Sequence, residues 1–149
     1  MDKTLINDIK RNFNQVINFT KTNRDYFIHG DFHPVNCVLD ENGEIILIDW
    51  QNCQLGRRDE IAYFIGIGKD WGIDIYEDEM KKHYCERLTH YTGKTFTMSD
   101  LNKEYHMSTV FHNYFYAANY LQDSEASRVQ FVFDTTVASY KWLLLNKCI

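Results

Sequence analysis

The chain has 149 residues, 44% hydrophobic, 25% charged and 15% aromatic, a composition that excludes a disordered or low-complexity protein and fits one globular domain. Its net charge of −5 argues against a duplex-DNA binder, which needs a basic face. Cys37, Cys53, Cys85 and Cys148 show no paired spacing, so they read as small buried hydrophobes in a reducing compartment, not as a disulfide framework.

Met1-Asp2-Lys3 leads into a mixed polar and apolar pattern unlike a signal peptide, and no apolar run reaches the roughly 18 residues of a membrane span. The expectation is a cytoplasmic protein with neither a membrane nor a nucleic acid as partner.

Leu5, Ile6, Ile9, Phe13, Val16 and Ile17 recur at three- and four-residue steps, with Asn7, Asp8, Lys10, Arg11 and Asn14 on the opposite face. This predicts an amphipathic helix ending between residues 20 and 23. Tyr26-Phe27-Ile28 reads as a short strand delivering the chain to His29.

Cys37-Val38-Leu39 and Glu44 to Ile48 flank Asp40-Glu41-Asn42-Gly43. Asn-Gly between apolar runs predicts a hairpin, because both residues tolerate positive φ. Such a hairpin returns Asp49 to the neighbourhood of Asn36.

Gly56-Arg57-Arg58 reads as a turn, and Asp59-Glu60 opens the apolar run Ile61 to Ile67, which predicts a buried helix. Asp74 to Tyr91 predicts another, with Tyr76, Met80, Tyr84, Leu88 and Tyr91 inward and Gly93 just beyond. Ser99 is the expected cap of the next, whose inner face would be Met107, Val110, Phe111, Tyr114, Ala118 and Leu121. Glu125 to Lys147 predicts the last, with Val129, Val132, Phe133, Val137, Tyr140 and Leu144 inward. The fold class expected is α+β, mainly α: a helical body headed by a small β-hairpin that carries the polar loops.

The one dense group of polar residues with a chemical use lies between His29 and Asp49. Asn36 stands five residues after Asp31, and Asp49 thirteen after Asn36, past the hairpin. That is the layout of a kinase phosphoryl-transfer site. Such chemistry asks a protein to orient the attacking hydroxyl and to hold metal ions on the phosphates. The Asp31 carboxylate can aim the hydroxyl and accept its proton, while Asn36 and Asp49 offer the hard oxygen ligands that suit Mg²⁺. Gly30 permits a backbone angle other residues resist, and Pro34 stiffens the turn. His29, Asp31 and His33 as a transition-metal site would need an extended strand, which Gly30 and Pro34 oppose. Cys53 reads as a buried inert thiol, not as a nucleophile.

The stretch His29-Gly30-Asp31-Phe32-His33-Pro34-Val35-Asn36, followed by Ile48-Asp49-Trp50-Gln51, resembles the aminoglycoside phosphotransferase and choline kinase-like superfamily. Trp50-Gln51, Gly56-Arg57 and Glu60-Ile61-Ala62-Tyr63-Phe64 are similar to its ecdysteroid kinase-like branch. The resemblance implies a protein-kinase-like fold and phosphorylation of a small-molecule hydroxyl with ATP and Mg²⁺. By motif position it implies Asp31 as catalytic base, Asn36 and Asp49 as metal ligands, and His29, His33, Asn36 and Asp49 around the cofactor. Glu60 falls near a family aspartate that braces the catalytic loop.

The family's nucleotide lobe, with its phosphate-covering loop and strand lysine, has no counterpart ahead of His29, where Lys3, Lys10 and Lys21 lie on or beside a helix. Residues 1–149 therefore resemble a single kinase-like C-terminal lobe without the N-terminal nucleotide lobe. The expected partners are a small-molecule hydroxyl substrate and either a separate N-lobe chain or a second copy. The competing expectation is a non-catalytic, pseudokinase-like fragment serving as a binding or assembly module.

Overall fold

The computed structural model describes residues 3–22, 24–57, 59–120 and 125–149, with the side chains of 3 and 118–120 outside that description. The chain divides into two compact units, Met1–Thr22 with Asn102–Ile149, and Asn23–Leu101.

The first unit is helical. It contains α1 (Lys3–Lys21), most of α4 (Met98–Tyr120) and α5 (Ala126–Leu145). The apolar stripe of α1 brings Val16 into a core with Met107, Val110, Tyr140 and Leu143, against which Leu5, Ile9, Phe13 and Phe111 pack. Tyr140 is fully buried, and its hydroxyl accepts from Asn12 Nδ2 at 2.7 Å, so the ring's polar end is satisfied inside the core. Asn113 Nδ2 ties α4 to α5 through the hydroxyls of Thr135 (2.9 Å) and Thr136 (3.0 Å).

Two inner faces differ from the sequence pattern. On α5 the buried residues are Val132, Ser139, Tyr140 and Leu143, while Val129 and Leu144 are exposed. Leu144 follows Leu143 by about 100° around the helix, which carries it off the buried stripe. On α4, Tyr114 is exposed although its ring meets Phe13 at 4.2 Å. Leu121 and the side chain of Ala118, also expected inward, lie outside the described residues.

The second unit carries all four described strands: β1 (Tyr26–Ile28), β2 (Cys37–Leu39), β3 (Ile45–Leu47) and β4 (Gln54–Gly56). They form two separate antiparallel pairs. The hairpin pairs Cys37 with Leu47 and Leu39 with Ile45. Its turn is fastened by Asp40 Oδ1, which accepts from the N–H groups of Asn42 and Glu44, both at 2.8 Å. Those backbone donors hold the Asp40 carboxyl below its ordinary range.

Strand β4, which no sequence signal had indicated and which ends on the first residue of the expected Gly56-Arg57-Arg58 turn, pairs with β1, Tyr26 opposite Gly56. Three residues ending in glycine carry too little alternation to signal a strand. A Cβ at Gly56 would lie 2.2 Å from Ile28 Cδ1, so a larger residue there would require the Ile28 side chain to move.

Helix α2 (Glu60–Asp70) buries Ile61, Ala62, Ile65 and Gly68, while Tyr63 and Phe64 are half-buried on the side of the polar loop. Helix α3 (Glu77–Thr92) starts three residues later than its acidic lead-in implied. Its buried residues are Lys81 and Cys85, and Tyr76 and Tyr91 are exposed. The reason is an ion pair: Lys81 Nζ is bonded to Glu77 one turn earlier, which lets a lysine occupy the inner face. Helix α4 is capped by Thr97, not Ser99. Thr97 Oγ1 accepts from Asp100 N (3.1 Å) and Asp100 Oδ2 accepts from Thr97 N (3.2 Å), a reciprocal capping box.

The described residues are thus mainly helical with small antiparallel β elements, the α+β, mainly α class expected. Among them, no helix is long and apolar enough to cross a membrane. All four cysteines are free, but Cys85 alone is buried and Cys53 is exposed, against the expectation of four buried thiols.

Candidate functional site

Beyond β1 the chain enters a loop held by its backbone. The N–H groups of His29 and Gly30 both donate to the Glu60 carboxylate, at 2.9 and 2.5 Å. Burial pushes the Glu60 carboxyl above its ordinary range, although the two N–H donors and the nearby His29 pull the other way. The first turn of α2 thereby anchors the loop, and Glu60 fills the bracing position the sequence had placed only nearby.

His29 is buried, and both ring nitrogens are bonded inside the protein. Nε2 donates to the Ile48 carbonyl (2.8 Å), which fixes the tautomer, and Nδ1 accepts from Asp31 N (3.3 Å). With neither nitrogen available, His29 is no ligand of a transition metal. Trp50 closes over it at 4.5 Å and donates its own indole N–H to the Leu47 carbonyl (2.8 Å). Gly30 has φ +83°, and a Cβ there would stand 2.1 Å from the Asn52 carbonyl oxygen. No other residue fits.

Asp31 follows, partly exposed. Its Oδ1 accepts from the Tyr63 hydroxyl at 3.5 Å and lies 3.6 Å from His33 Nε2. Among the described residues, both neighbours of this carboxylate stand on Oδ1, which leaves Oδ2 uncommitted.

Pro34–Asn36 forms a 3₁₀ turn with proline in its first position, where a missing N–H does no harm. The turn buries Asn36. Asn36 Nδ2 donates to the Asp31 carbonyl at 2.9 Å, so the loop's aspartate and asparagine are joined directly. The Asn36 carbonyl in turn accepts from Ile48 N at 3.0 Å. This bond extends the hairpin ladder one step past Cys37 and Leu47, bringing Asp49 to the position next to Asn36's partner. Asp49 is exposed and left-handed (φ 62°, ψ 57°), the conformation that reverses the chain into a 3₁₀ turn at Trp50–Asn52. Left-handed geometry at a non-glycine residue is strained and clusters at functional sites.

The loop, the hairpin and α2 are thus tied together through Glu60, Asn36 and the Tyr63–Asp31 contact, and Asp49 stands one residue beyond the hairpin ladder. Sequence reasoning gave no site role to Tyr63 or Trp50, which it quoted only for the resemblance, and missed Trp71, whose ring stands edge-on to His33 at 5.6 Å. Tyr63 had a signal: it stands three residues after Glu60, on the same face of a helix already assigned to brace the loop.

The donor set fits magnesium. Asn36 Oδ1 and the Asp49 carboxylate are hard oxygens, and the bonds of the Asn36 side chain all leave from Nδ2. Among the described residues no group of three or more His, Cys, Asp or Glu side chains forms a cage. One or two protein oxygens, completed by phosphate and water, is the usual Mg²⁺ arrangement.

Residues 7–78 match the phosphotransferase enzyme family. The match covers just under half of the chain and includes the loop, the hairpin and α2. It supports a phosphotransferase-like activity in general terms and says nothing of the acceptor. Comparisons with curated proteins and with solved structures each found no match.

Proposed function

We propose that the protein is a small-molecule phosphotransferase, moving the γ-phosphoryl group of ATP to a substrate hydroxyl with Mg²⁺. The observation that supports this reading is the pair of bonds at Asn36: its side-chain amide donates to the Asp31 carbonyl and its own carbonyl accepts from Ile48 N, the residue before Asp49.

Asp31 Oδ2, the uncommitted oxygen, orients the acceptor hydroxyl and takes its proton. The hydroxyl oxygen bonds to the γ-phosphorus as the bond to the bridging oxygen of ADP breaks. Asn36 Oδ1 and Asp49 would hold the cation, which when bound neutralises the phosphate charge. His29 serves the nucleotide through the loop it pins, and His33 through Asn36. Replacing Asp31 by Ala is expected to cut transfer to a hydroxyl acceptor by on the order of 10². Equal turnover in the variant would remove Asp31 from the mechanism.

The finer reading is an ecdysteroid kinase-like C-lobe. The described residues ahead of His29 form α1 and β1, and on this reading a separate nucleotide lobe covers the phosphates. Phe27, Leu39, Ile45 and Leu55 lie exposed on the two ribbons of the second unit. That apolar surface favours a covering partner, a nucleotide lobe or a second copy, and also supports the second reading, a non-catalytic binding module. Saturable binding of Mg-ATP by the isolated chain would speak against the second reading.

A further inference from the structure

We propose that His33 is a positioning residue: its ring holds the Asn36 amide so that Oδ1 is the one atom left for a ligand. The inference rests on the phosphotransferase reading for the identity of that ligand, but not for the bond itself.

The orientation of the amide follows from the Asp31 carbonyl. A carbonyl oxygen only accepts, so the Asn36 atom 2.9 Å from it is the nitrogen. The same nitrogen stands 3.3 Å from His33 Nε2. Nε2 also faces Asp31 Oδ1, but at the longer 3.6 Å. An amide nitrogen carries two hydrogens; one goes to Asp31, and the other points at the closer Nε2, which then offers its lone pair. The proton of the His33 ring therefore belongs on Nδ1.

His33 Nδ1 is buried and has no partner among the described residues. The ring is wedged edge-on against Trp71 (5.6 Å, 75°) and Tyr63 (6.3 Å, 67°). The contrast with His29 is informative, because there both nitrogens are bonded. A histidine kept for packing alone would be replaced at lower cost by an apolar side chain, since an orphaned polar atom is unfavourable. What His33 supplies that an apolar residue cannot is the acceptor at Nε2. With it, two anchors fix the amide plane; without it, the amide swings about its single bond to Asp31.

The test uses the whole chain and has two parts. Long-range ¹H–¹⁵N correlation of the metal-free protein, at a pH where the ring holds one proton, reads the tautomer of His33. Proton on Nδ1, with slow exchange of one Asn36 amide hydrogen, is expected; proton on Nε2 overturns the proposal. Mn²⁺ binding in the presence of ATP, followed by electron paramagnetic resonance, is then compared in wild type, His33→Leu and His33→Gln. His33→Leu should weaken Mn²⁺ binding by about 10-fold or more, the usual effect of losing a partner behind a ligand, and His33→Gln, whose amide oxygen still accepts, should recover most of it. Equal binding in wild type and His33→Leu overturns the proposal. If wild type binds no Mn²⁺ with ATP, the phosphotransferase reading fails, while the tautomer measurement still decides the bond. Should His33→Leu not fold, His33→Gln and the wild-type tautomer carry the decision.

Discussion

Glu60 reaches back thirty-one positions to the backbone of His29, its carboxylate accepting that N–H at 2.9 Å and the neighbouring Gly30 N–H at 2.5 Å. One side chain on the first turn of α2 thus takes up two consecutive donors of the loop. Replacing Glu60 by Ala removes the acceptor of both; the buried His29 N–H left unpaired costs about 1–3 kcal/mol, while the exposed Gly30 N–H can turn to water. Urea unfolding should show Glu60→Ala destabilised by about 1–3 kcal/mol, with Glu60→Gln in between because its amide oxygen satisfies one donor. An unchanged midpoint for Glu60→Ala would mean that water replaces the carboxylate.

Gly30 and Gly43 both have positive φ, +83° and +82°, but a Cβ meets the Asn52 carbonyl at 2.1 Å in the first and nothing within 4 Å in the second. Gly43→Ala should therefore lose only the left-handed penalty, about 1–2 kcal/mol. Gly30→Ala adds an overlap with backbone that cannot rotate away, so it should melt at a clearly lower temperature. Equal melting temperatures would contradict the close approach of the loop to Asn52.

Tyr63 donates to Asp31 Oδ1 across 3.5 Å, a long bond at the edge of hydrogen-bond reach. Tyr63→Phe keeps the ring against His33 and removes the donor alone. Transfer should fall about 3- to 10-fold in kcat, with little change in the KM for ATP. A change confined to KM would place Tyr63 in binding instead.

The Glu77 carboxylate bridges Lys69 and Lys81. Burial pushes its pKa up, but the bonds and charges of the two lysines outweigh that and hold it below the ordinary glutamate range. A carboxylate depressed in the folded state gives stability that is present above the unfolded pKa and is lost as pH falls through the folded one. Wild type should therefore lose more stability than Glu77→Gln as pH is lowered below about 4.5, the unfolded value. Parallel pH profiles would show the clamp contributes nothing.

Much of the loop and hairpin was legible in the sequence because it is local. Asn42-Gly43 marks the hairpin turn, and the hairpin returns Ile48, the residue before Asp49, to the Asn36 carbonyl. The elements that differed depend on partners distant in sequence: β4 is a strand because β1 lies beside it, and Lys81 turns inward because Glu77 neutralises it. The bond between Tyr63 and Asp31 spans thirty-two positions, so only a helix-face argument from Glu60 would have reached it. The exposure of Cys53, which follows the Trp50–Asn52 turn, had no local signal in the composition around it.

The most direct test of the account is a calorimetric titration of Mg-ATP into wild type and Asp49→Ala, repeated with the metal chelated. Saturable heat in wild type that vanishes with the chelator and falls at least about tenfold in affinity in the variant is the result expected. Identical binding by both proteins, or binding indifferent to magnesium, would contradict the assignment of this loop and hairpin as a magnesium-phosphate site.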